Sequence, residues 1–357
     1  MMRTVRPTPA VIALAAALLL AACVPAGPPA APAAGPGAAA TAPAAGAPAP
    51  AAAARPSQPA KVVLAHAAAG AATQFWVAYA AQKKGFFAQE AIDFEAIGLQ
   101  SAPNQTQALL AGDVQVIGFT VLSMATAIAA GAPLKLVVAS QDAPTIQMLV
   151  RPEIGDWADL RGKALGSGNT AGDYFDIALR LMLAANGLHD GDYTVRNMPT
   201  AARLPAILAG QLAGGVGSSQ ETSTGLASGL RSLGSFTDYV KDVSYTGFLV
   251  NESWATANDE ALVRFIRALL RGMAWLYDPA NEGEAIALYA EEAGQPAPEV
   301  APIYGEVIGN RLLPRDLRPN RKGIENILNL AHEQGALPEI PPLDTWIDLS
   351  YLDRASR

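Results

Sequence analysis

The chain has a single cysteine among its 357 residues, so it can form neither an internal disulfide nor a cysteine cluster for a metal. Its three histidines, His66, His189 and His332, stand far apart and show no close metal-ligand spacing. A phosphate-binding P-loop and a G-x-S-x-G nucleophile motif are also missing. These absences argue against an enzyme, and we predict no catalytic residue, no metal and no cofactor.

Basic residues are scarce where a nucleic acid would need them. The first 60 residues hold three basic and no acidic residues, which leaves 25 − 3 = 22 basic and 32 acidic residues for the rest, a net charge of 22 − 32 = −10. Binding to phosphates requires a basic stripe, so we exclude nucleic acid as a partner. After residue 60 no apolar run reaches the roughly 20 residues needed to cross a bilayer.

The beginning of the chain has the pattern of an export signal. Arg3 and Arg6 precede an apolar run over residues 11–22, which is too short to span a bilayer but fits the core of a signal peptide. Residues 20–23 (LAAC) resemble the lipobox of bacterial lipoproteins, in which the cysteine is lipidated and becomes the new N-terminus. We therefore predict a signal peptide over 1–22 and an extracytoplasmic protein anchored to a membrane through Cys23. The alternative is an ordinary signal peptide that happens to contain a cysteine.

Residues 23–60 consist almost entirely of alanine, proline and glycine, with Arg55 as their single charge. Such a segment has no bulky side chain to bury and cannot offset its ordering entropy. Its prolines favour extended conformations. We predict a tether that holds a globular body away from the membrane.

The body from Lys61 onward alternates strand-like and helix-like segments, and this alternation occurs twice. Residues 62–65 predict a buried strand, residues 172–186 a long helix ended by Gly187, and residues 259–276 a helix with one apolar face. Residues 108–112 (ALLAG) recur as 206–210 (AILAG). Strands separated by single helices predict an α/β fold with a mostly parallel sheet in each of two lobes.

This order resembles the type II periplasmic binding proteins, specifically the alkanesulfonate/taurine and thiamine-precursor group of ABC-transporter substrate-binding proteins. The segments that carry the resemblance are 81–87 (AQKKGFF), 108–114 (ALLAGDV), 131–135 (GAPLK), 159–163 (DLRGK) and 268–275 (ALLRGMAW). The resemblance implies a monomer that binds a small ligand between two lobes joined by two crossing strands and delivers it to an ABC permease. It places lobe one at 61–143 with 248–357, and lobe two at 144–247.

Ligands of α/β sheets bind at the carboxyl ends of the strands, beside helix N-termini. The glycine-rich segment 166–174 is the strongest candidate there, because its glycines would let the backbone approach a ligand. Capping of the following helix by Asn169 or Thr170 is the structural alternative, and Asp173 could also cap that helix. The residues predicted to contact the ligand are His66, Trp76, Thr120, Ser167, Asn169, Thr170, Asp173, Tyr174, Glu221 and Tyr245.

These loops contain no arginine or lysine, which favours a small aromatic or heterocyclic ligand, pyrimidine-like or flavin-like, over an anion. A sulfonate or carboxylate is the second possibility. The loop at 218–221 departs from the group's usual pattern, so the resemblance does not identify the ligand. Two other functions stay open: a ligand-sensing lipoprotein, and an enzyme like the thiamine-pyrimidine synthase that shares this scaffold.

Overall fold

The computed structural model describes residues 58–66, 72–99 and 102–357. The predicted signal peptide, the lipidation site Cys23 and the tether as far as residue 57 lie outside the described residues, so those predictions stay untested. The predicted turn at 67–71 lies outside them as well.

Within the residues that the structure describes, ten strands form two five-stranded sheets. Numbered in chain order, they are β1 (Ala60–His66), β2 (Ile92–Gly98), β3 (Val116–Thr120), β4 (Leu134–Gln141), β5 (Gln147–Val150), β6 (Ala164–Ser167), β7 (Thr194–Asn197), β8 (Gly214–Gly217), β9 (Arg231–Ser235) and β10 (Thr246–Asn251). Sheet one has the order β2-β1-β3-β10-β4, and sheet two has the order β7-β6-β8-β5-β9.

The two sheets are built to the same plan. In sheet one, β1 pairs in parallel with β2 and β3, while β10 is antiparallel to both β3 and β4. In sheet two, β6 pairs in parallel with β7 and β8, while β5 is antiparallel to both β8 and β9. Four strands of each sheet therefore run in the same direction, and one runs in reverse. The reversed strand, β10 in sheet one and β5 in sheet two, is the first strand after the chain crosses from the other sheet. This confirms the predicted two-lobed α/β fold with mostly parallel sheets.

Helices cover both sheets and dominate the second half of the chain. They are α1 (Trp76–Lys83), α2 (Phe86–Gln89), α3 (Ala102–Ala111), α4 (Val121–Ala129), α5 (Tyr174–Ala185), α6 (Thr200–Leu208), α7 (Ser219–Ala227), α8 (Phe236–Tyr239), α9 (Glu252–Ala257), α10 (Asp259–Leu276), α11 (Glu282–Ala293), α12 (Ala297–Gly309), α13 (Arg321–Glu333) and α14 (Ser350–Ala355). The bounds of α10 agree with the prediction, whereas the sequence reading did not identify β9.

Local sequence explains how the long helix of lobe two begins and ends. Asp173 caps the N-terminus of α5, because its side chain accepts a hydrogen bond from the Asp176 amide. At the other end Gly187 has a φ of 76°, a left-handed conformation that glycine adopts without strain. The helix therefore stops where the glycine predicted it.

The apolar face predicted on α10 is core. Leu262, Phe265, Ile266 and Leu269 are fully buried, and the helix packs against α1 and α14. The C-terminal half of the chain thus supplies much of the hydrophobic core that lies on one face of sheet one. Within the described ranges, no helix is both long and apolar enough to span a bilayer.

Candidate functional site

Tyr245 connects the carboxyl edges of the two sheets. It directly precedes β10, its carbonyl accepts from the Val121 amide at 2.8 Å, and its amide donates to the Gln141 carbonyl at 3.3 Å. Its backbone is therefore bonded to the first residue of α4, directly after β3, and to the end of β4 in sheet one. Its ring meets the edge of Tyr174, at the start of α5, at a centroid distance of 4.8 Å. The predicted residues Tyr174 and Tyr245 thus come together.

Ser167 ends β6 and is fully buried. Its hydroxyl donates to the Asp176 carboxylate at 2.9 Å, so the side chain is engaged within the protein. Burial by itself would raise the pKa of Asp176. Hydrogen bonds from the Gly172 amide, Arg180 and Ser167 nevertheless hold that pKa below its usual value. Asp176, which the sequence reading did not single out, is thus a buried carboxylate that stays ionised.

Backbone amides of the glycine-rich loop donate hydrogen bonds to carboxylates of the protein itself. Asp173 accepts from the Asp176 amide at 3.0 Å and from the Thr170 amide at 3.2 Å. A Cβ at Gly168 would collide with the Asp173 carboxylate. The suggestion that Asn169 or Thr170 caps α5 is therefore wrong: Asp173 is the cap, and both other side chains are exposed. Burial raises the pKa of Asp173, although these backbone amides oppose the shift.

Arg203 is a second site residue, besides Asp176, that sequence reasoning missed. It lies on α6, is 1% exposed, and forms a bidentate ion pair with Glu221, with Nε–Oε1 at 3.0 Å and Nη2–Oε2 at 2.5 Å. Its remaining nitrogen donates to the Ser167 carbonyl at 2.8 Å. The candidate loops contain no arginine in their own sequence. The fold nevertheless places Arg203, from the neighbouring helix α6, beside them.

The tyrosine hydroxyls at this edge stay protonated. Burial, followed by the nearby Asp173 carboxylate, raises the pKa of Tyr245, while Arg203 opposes the shift. Burial also raises the pKa of Tyr174 well above its ordinary value. Both side chains therefore carry neutral hydroxyls.

The lobe-one residues lie at the corresponding edge of sheet one. Thr120 ends β3 and caps α4, with its hydroxyl accepting from the Ser123 amide at 3.2 Å. His66 ends β1, with its ring 5.4 Å from that of Phe75. Thr73 donates to the buried side chain of Gln141, at the end of β4, at 2.8 Å. His66 and Thr120 therefore occupy strand ends of one sheet edge, as predicted from sequence, and their contact with a ligand stays a prediction.

Trp76 lies apart from these residues. It is fully buried, its ring packs against Tyr289 at 4.4 Å and Tyr304 at 5.6 Å, and its indole nitrogen donates to the Ala285 carbonyl at 3.2 Å. Both packing partners belong to the C-terminal helices α11 and α12. The expectation that Trp76 faces a ligand is corrected by this burial: its ring is a core residue of lobe one.

A groove of about 810 Å³ lies on another flank of α5, between that helix and the end of α13. Its polar wall includes Arg180, which pairs with Asp176 at 3.0 Å and with Asp190 at 2.7 Å. Ligands of α/β sheets bind at the carboxyl ends of the strands, and the groove runs along the side of the helix instead. We therefore do not place the site there.

No cluster of three or more histidine, cysteine, aspartate or glutamate side chains with metal-binding geometry occurs in the part of the chain that the structure describes. The polar groups of the site include carboxylates, hydroxyls, the His66 imidazole and the Arg203 guanidinium, and several of them are paired with one another. This arrangement is suited to hydrogen bonding of a small molecule.

Several solved structures share the fold. The ligand-binding component of an ABC-type import system from Staphylococcus aureus, solved with zinc bound, superposes with a TM-score of 0.69 at 12% identity, covering 84% of this chain and 99% of that one. The periplasmic nitrate-binding protein from Synechocystis PCC 6803 gives 0.71 at 14% identity, covering 83% and 88%. A desulfurization enzyme gives 0.64 at 13% identity, covering 83% and 99%.

At such identities these likenesses establish the fold alone, and they include both binding proteins and an enzyme. None of the curated proteins matches the sequence. The model of the family described as NMT1/THI5 like matches residues 72–282, which is more than half of the chain. The chain therefore belongs to the NMT1/THI5-like family.

Proposed function

We propose that the protein is an extracytoplasmic solute-binding lipoprotein that closes its two lobes around a small ligand and delivers it to an ABC importer. The observation that carries this proposal is Tyr245, whose backbone is bonded to sheet one while its ring contacts Tyr174 at the start of helix α5, which follows β6 of sheet two. Polar residues of both sheet edges thereby come close to one crossing segment. The solved importer component and nitrate-binding protein with the same fold support it.

In this proposal lobe one comprises 61–143 with 248–357, and lobe two comprises 144–247. The ligand lies between the edges that carry Thr120 and Tyr174, and only the closed state lets it contact both. The neutral hydroxyls and aromatic rings favour a small aromatic or heterocyclic metabolite, pyrimidine-like or flavin-like. Binding without catalysis is the proposed activity, and transport and sensing would use the same closure.

Closure can be measured directly as a distance between the lobes. We expect nitroxide labels on Asp93→Cys and Lys163→Cys, in a Cys23→Ser background, to approach each other when ligand is added. Both positions are exposed and can be labelled, and one lies in each proposed lobe, Asp93 in β2 and Lys163 directly before β6. Ligands would be drawn from a panel of thiamine pyrimidine, riboflavin, aromatic acids and sulfonates, after native mass spectrometry of the purified protein. A ligand that binds tightly by calorimetry without changing this distance would contradict the proposed closure.

The anchor is tested separately. Cys23→Ser should release the protein from the membrane fraction or leave it with an uncleaved signal peptide, because serine lacks the thiol that carries the lipid. Fractionation and intact mass of the two forms give the answer, with Ser57→Ala in the tether as the control that should stay in the membrane. A Cys23→Ser protein with unchanged mature mass and membrane location would exclude lipidation at this residue.

A further inference from the structure

The guanidinium of Arg203, beside the end of β6, has all three of its nitrogens hydrogen-bonded within the protein. Each of the three nitrogens of Arg203 donates a hydrogen bond, two of them to Glu221 and one to the Ser167 carbonyl. Bidentate arginine is the group with which proteins most often hold carboxylates and oxyanions. Here the guanidinium already holds the carboxylate of Glu221, a residue that is only 8% exposed.

Carboxylates also accept from backbone amides before and within the first turn of α5. Free amides at a helix N-terminus attract anions. The Asp173 carboxylate accepts from the Asp176 amide in the first turn and from the Thr170 amide in the preceding loop, and Asp176 accepts from the Gly172 amide of that loop at 2.9 Å.

In α7 the Glu221 carboxylate accepts from the Ser218 amide at 2.9 Å, closing a capping box. Glu221 thus neutralises Arg203 and caps its own helix at once. Three carboxylates therefore occupy the Arg203 guanidinium and four of the backbone amides at this edge.

The groups left over at this edge are neutral. Tyr174 is 2% exposed, and its buried hydroxyl has no hydrogen-bond partner within the described part of the chain. Thr222, on the first turn of α7, is 5% exposed, and its buried hydroxyl is likewise unpaired within residues 58–66, 72–99 and 102–357. A hydroxyl can donate or accept, so both suit a neutral ligand, and the carboxylates additionally suit a cationic one.

From these contacts we infer that the cleft is closed to anions and that Glu221 determines this specificity by keeping Arg203 paired. The inference rests on the proposed function, in that the ligand is taken to bind at this edge. It sets the chain apart from the nitrate-binding protein of the same fold and directs it to neutral or cationic ligands that carry N–H or O–H groups. Glu221 acts through Arg203 and is a specificity-determining residue that need not touch the ligand.

The test removes the negative charge that pairs with Arg203 and asks whether the cleft then binds anions. Glu221→Gln keeps the shape of the side chain but removes its charge, so Arg203 is left with an unpaired charge at the cleft. Sulfate, nitrate and ethanesulfonate are the probes, added to the full chain in detergent and followed by thermal unfolding and calorimetry, with sodium chloride of equal ionic strength as the reference. We expect no response from the wild type and a gain of roughly hundredfold or more in anion affinity for Glu221→Gln, because like-charge juxtaposition is relieved and a cation is freed.

The matched control is the double variant Arg203→Met with Glu221→Leu. Replacing both members of a buried ion pair by apolar residues is often tolerated, and this variant should stay folded and ignore anions. If Glu221→Gln does not fold alone, recovery of its unfolding transition in sulfate supports the inference equally, and no recovery while the double variant folds overturns it.

Two further results would overturn the inference. One is a wild-type protein that binds any of the probe anions with an affinity that Arg203→Met removes. The other is a folded Glu221→Gln variant that stays indifferent to anions. Either result leaves the proposed function standing, because that function is tested by the distance between labelled lobes and fails only if no ligand closes them.

Discussion

Replacing Trp76 by alanine should lower the free energy of unfolding by about 3–5 kcal/mol, the usual cost of truncating a fully buried tryptophan. The residue is 0% exposed, packs against Tyr289 and Tyr304, and donates its indole N–H to the Ala285 carbonyl. The substitution would leave a cavity between α1 and the two C-terminal helices. Denaturant unfolding measures the loss, and a slope unchanged from wild type would show that the transition is still cooperative.

Trp157→Ala is the matched control for this prediction. That tryptophan is half-buried and meets Tyr239 edge-on at 6.0 Å, so its truncation opens less of the core. We expect a clearly smaller loss of stability. Equal losses of stability for the two variants would contradict the core role of Trp76. A Trp76→Ala protein that is as stable as wild type but binds ligand more weakly would show instead that Trp76 belongs to the ligand site.

Replacing Asp142 by asparagine should make the protein more stable than wild type above pH 7 and leave it nearly unchanged near pH 4. Asp142 follows β4 at the crossing between the sheets, and its Oδ1 is buried without a hydrogen-bond partner in the described ranges. Burial, with repulsion from Asp316, raises its pKa from 3.8 to about 7, although a backbone hydrogen bond from Asn320 opposes the shift.

The raised pKa of Asp142 determines how its contribution to stability changes with pH. Because the folded-state pKa lies above the unfolded one, the fold prefers the protonated acid. Its contribution to stability is complete below about pH 4 and is lost as the pH rises through about 7. Asparagine imitates the protonated acid at every pH, so the gain at high pH should reach roughly 2–4 kcal/mol, since each pKa unit corresponds to about 1.4 kcal/mol.

Unfolding by urea between pH 4 and pH 9 measures this difference. Asp316→Asn is the control, because it removes the repulsion but leaves Asp142 buried, and its effect should be smaller in the same direction. A constant offset between wild type and Asp142→Asn across the whole range would mean that Asp142 does not titrate in this window.

The order of elements could be predicted from the sequence because the signals for it are local. The apolar spacing on α10 depends on residues three and four apart, and Gly187 ends α5 through its own backbone conformation. The repeated ALLAG and AILAG segments are likewise visible without any knowledge of tertiary contacts, and they correspond to the ends of α3 and α6, each followed by the third strand of its sheet. The composition of the first 60 residues predicts export and anchoring by the same local reasoning.

The composition of the site was decided by tertiary structure. Arg203 is 18 residues from Glu221 and 36 from Ser167, and only the packing of α6 beside β6 and β8 brings these groups within hydrogen-bond distance. Trp76 shows the converse, since nothing in its neighbourhood along the chain indicates that residues more than 200 positions later cover its ring. Helical and strand periodicity tell which side of an element is buried, but not which distant element buries it. That depends on the folded arrangement of the sheets and helices. The pairing of Glu221 with Arg203 depends on it in the same way.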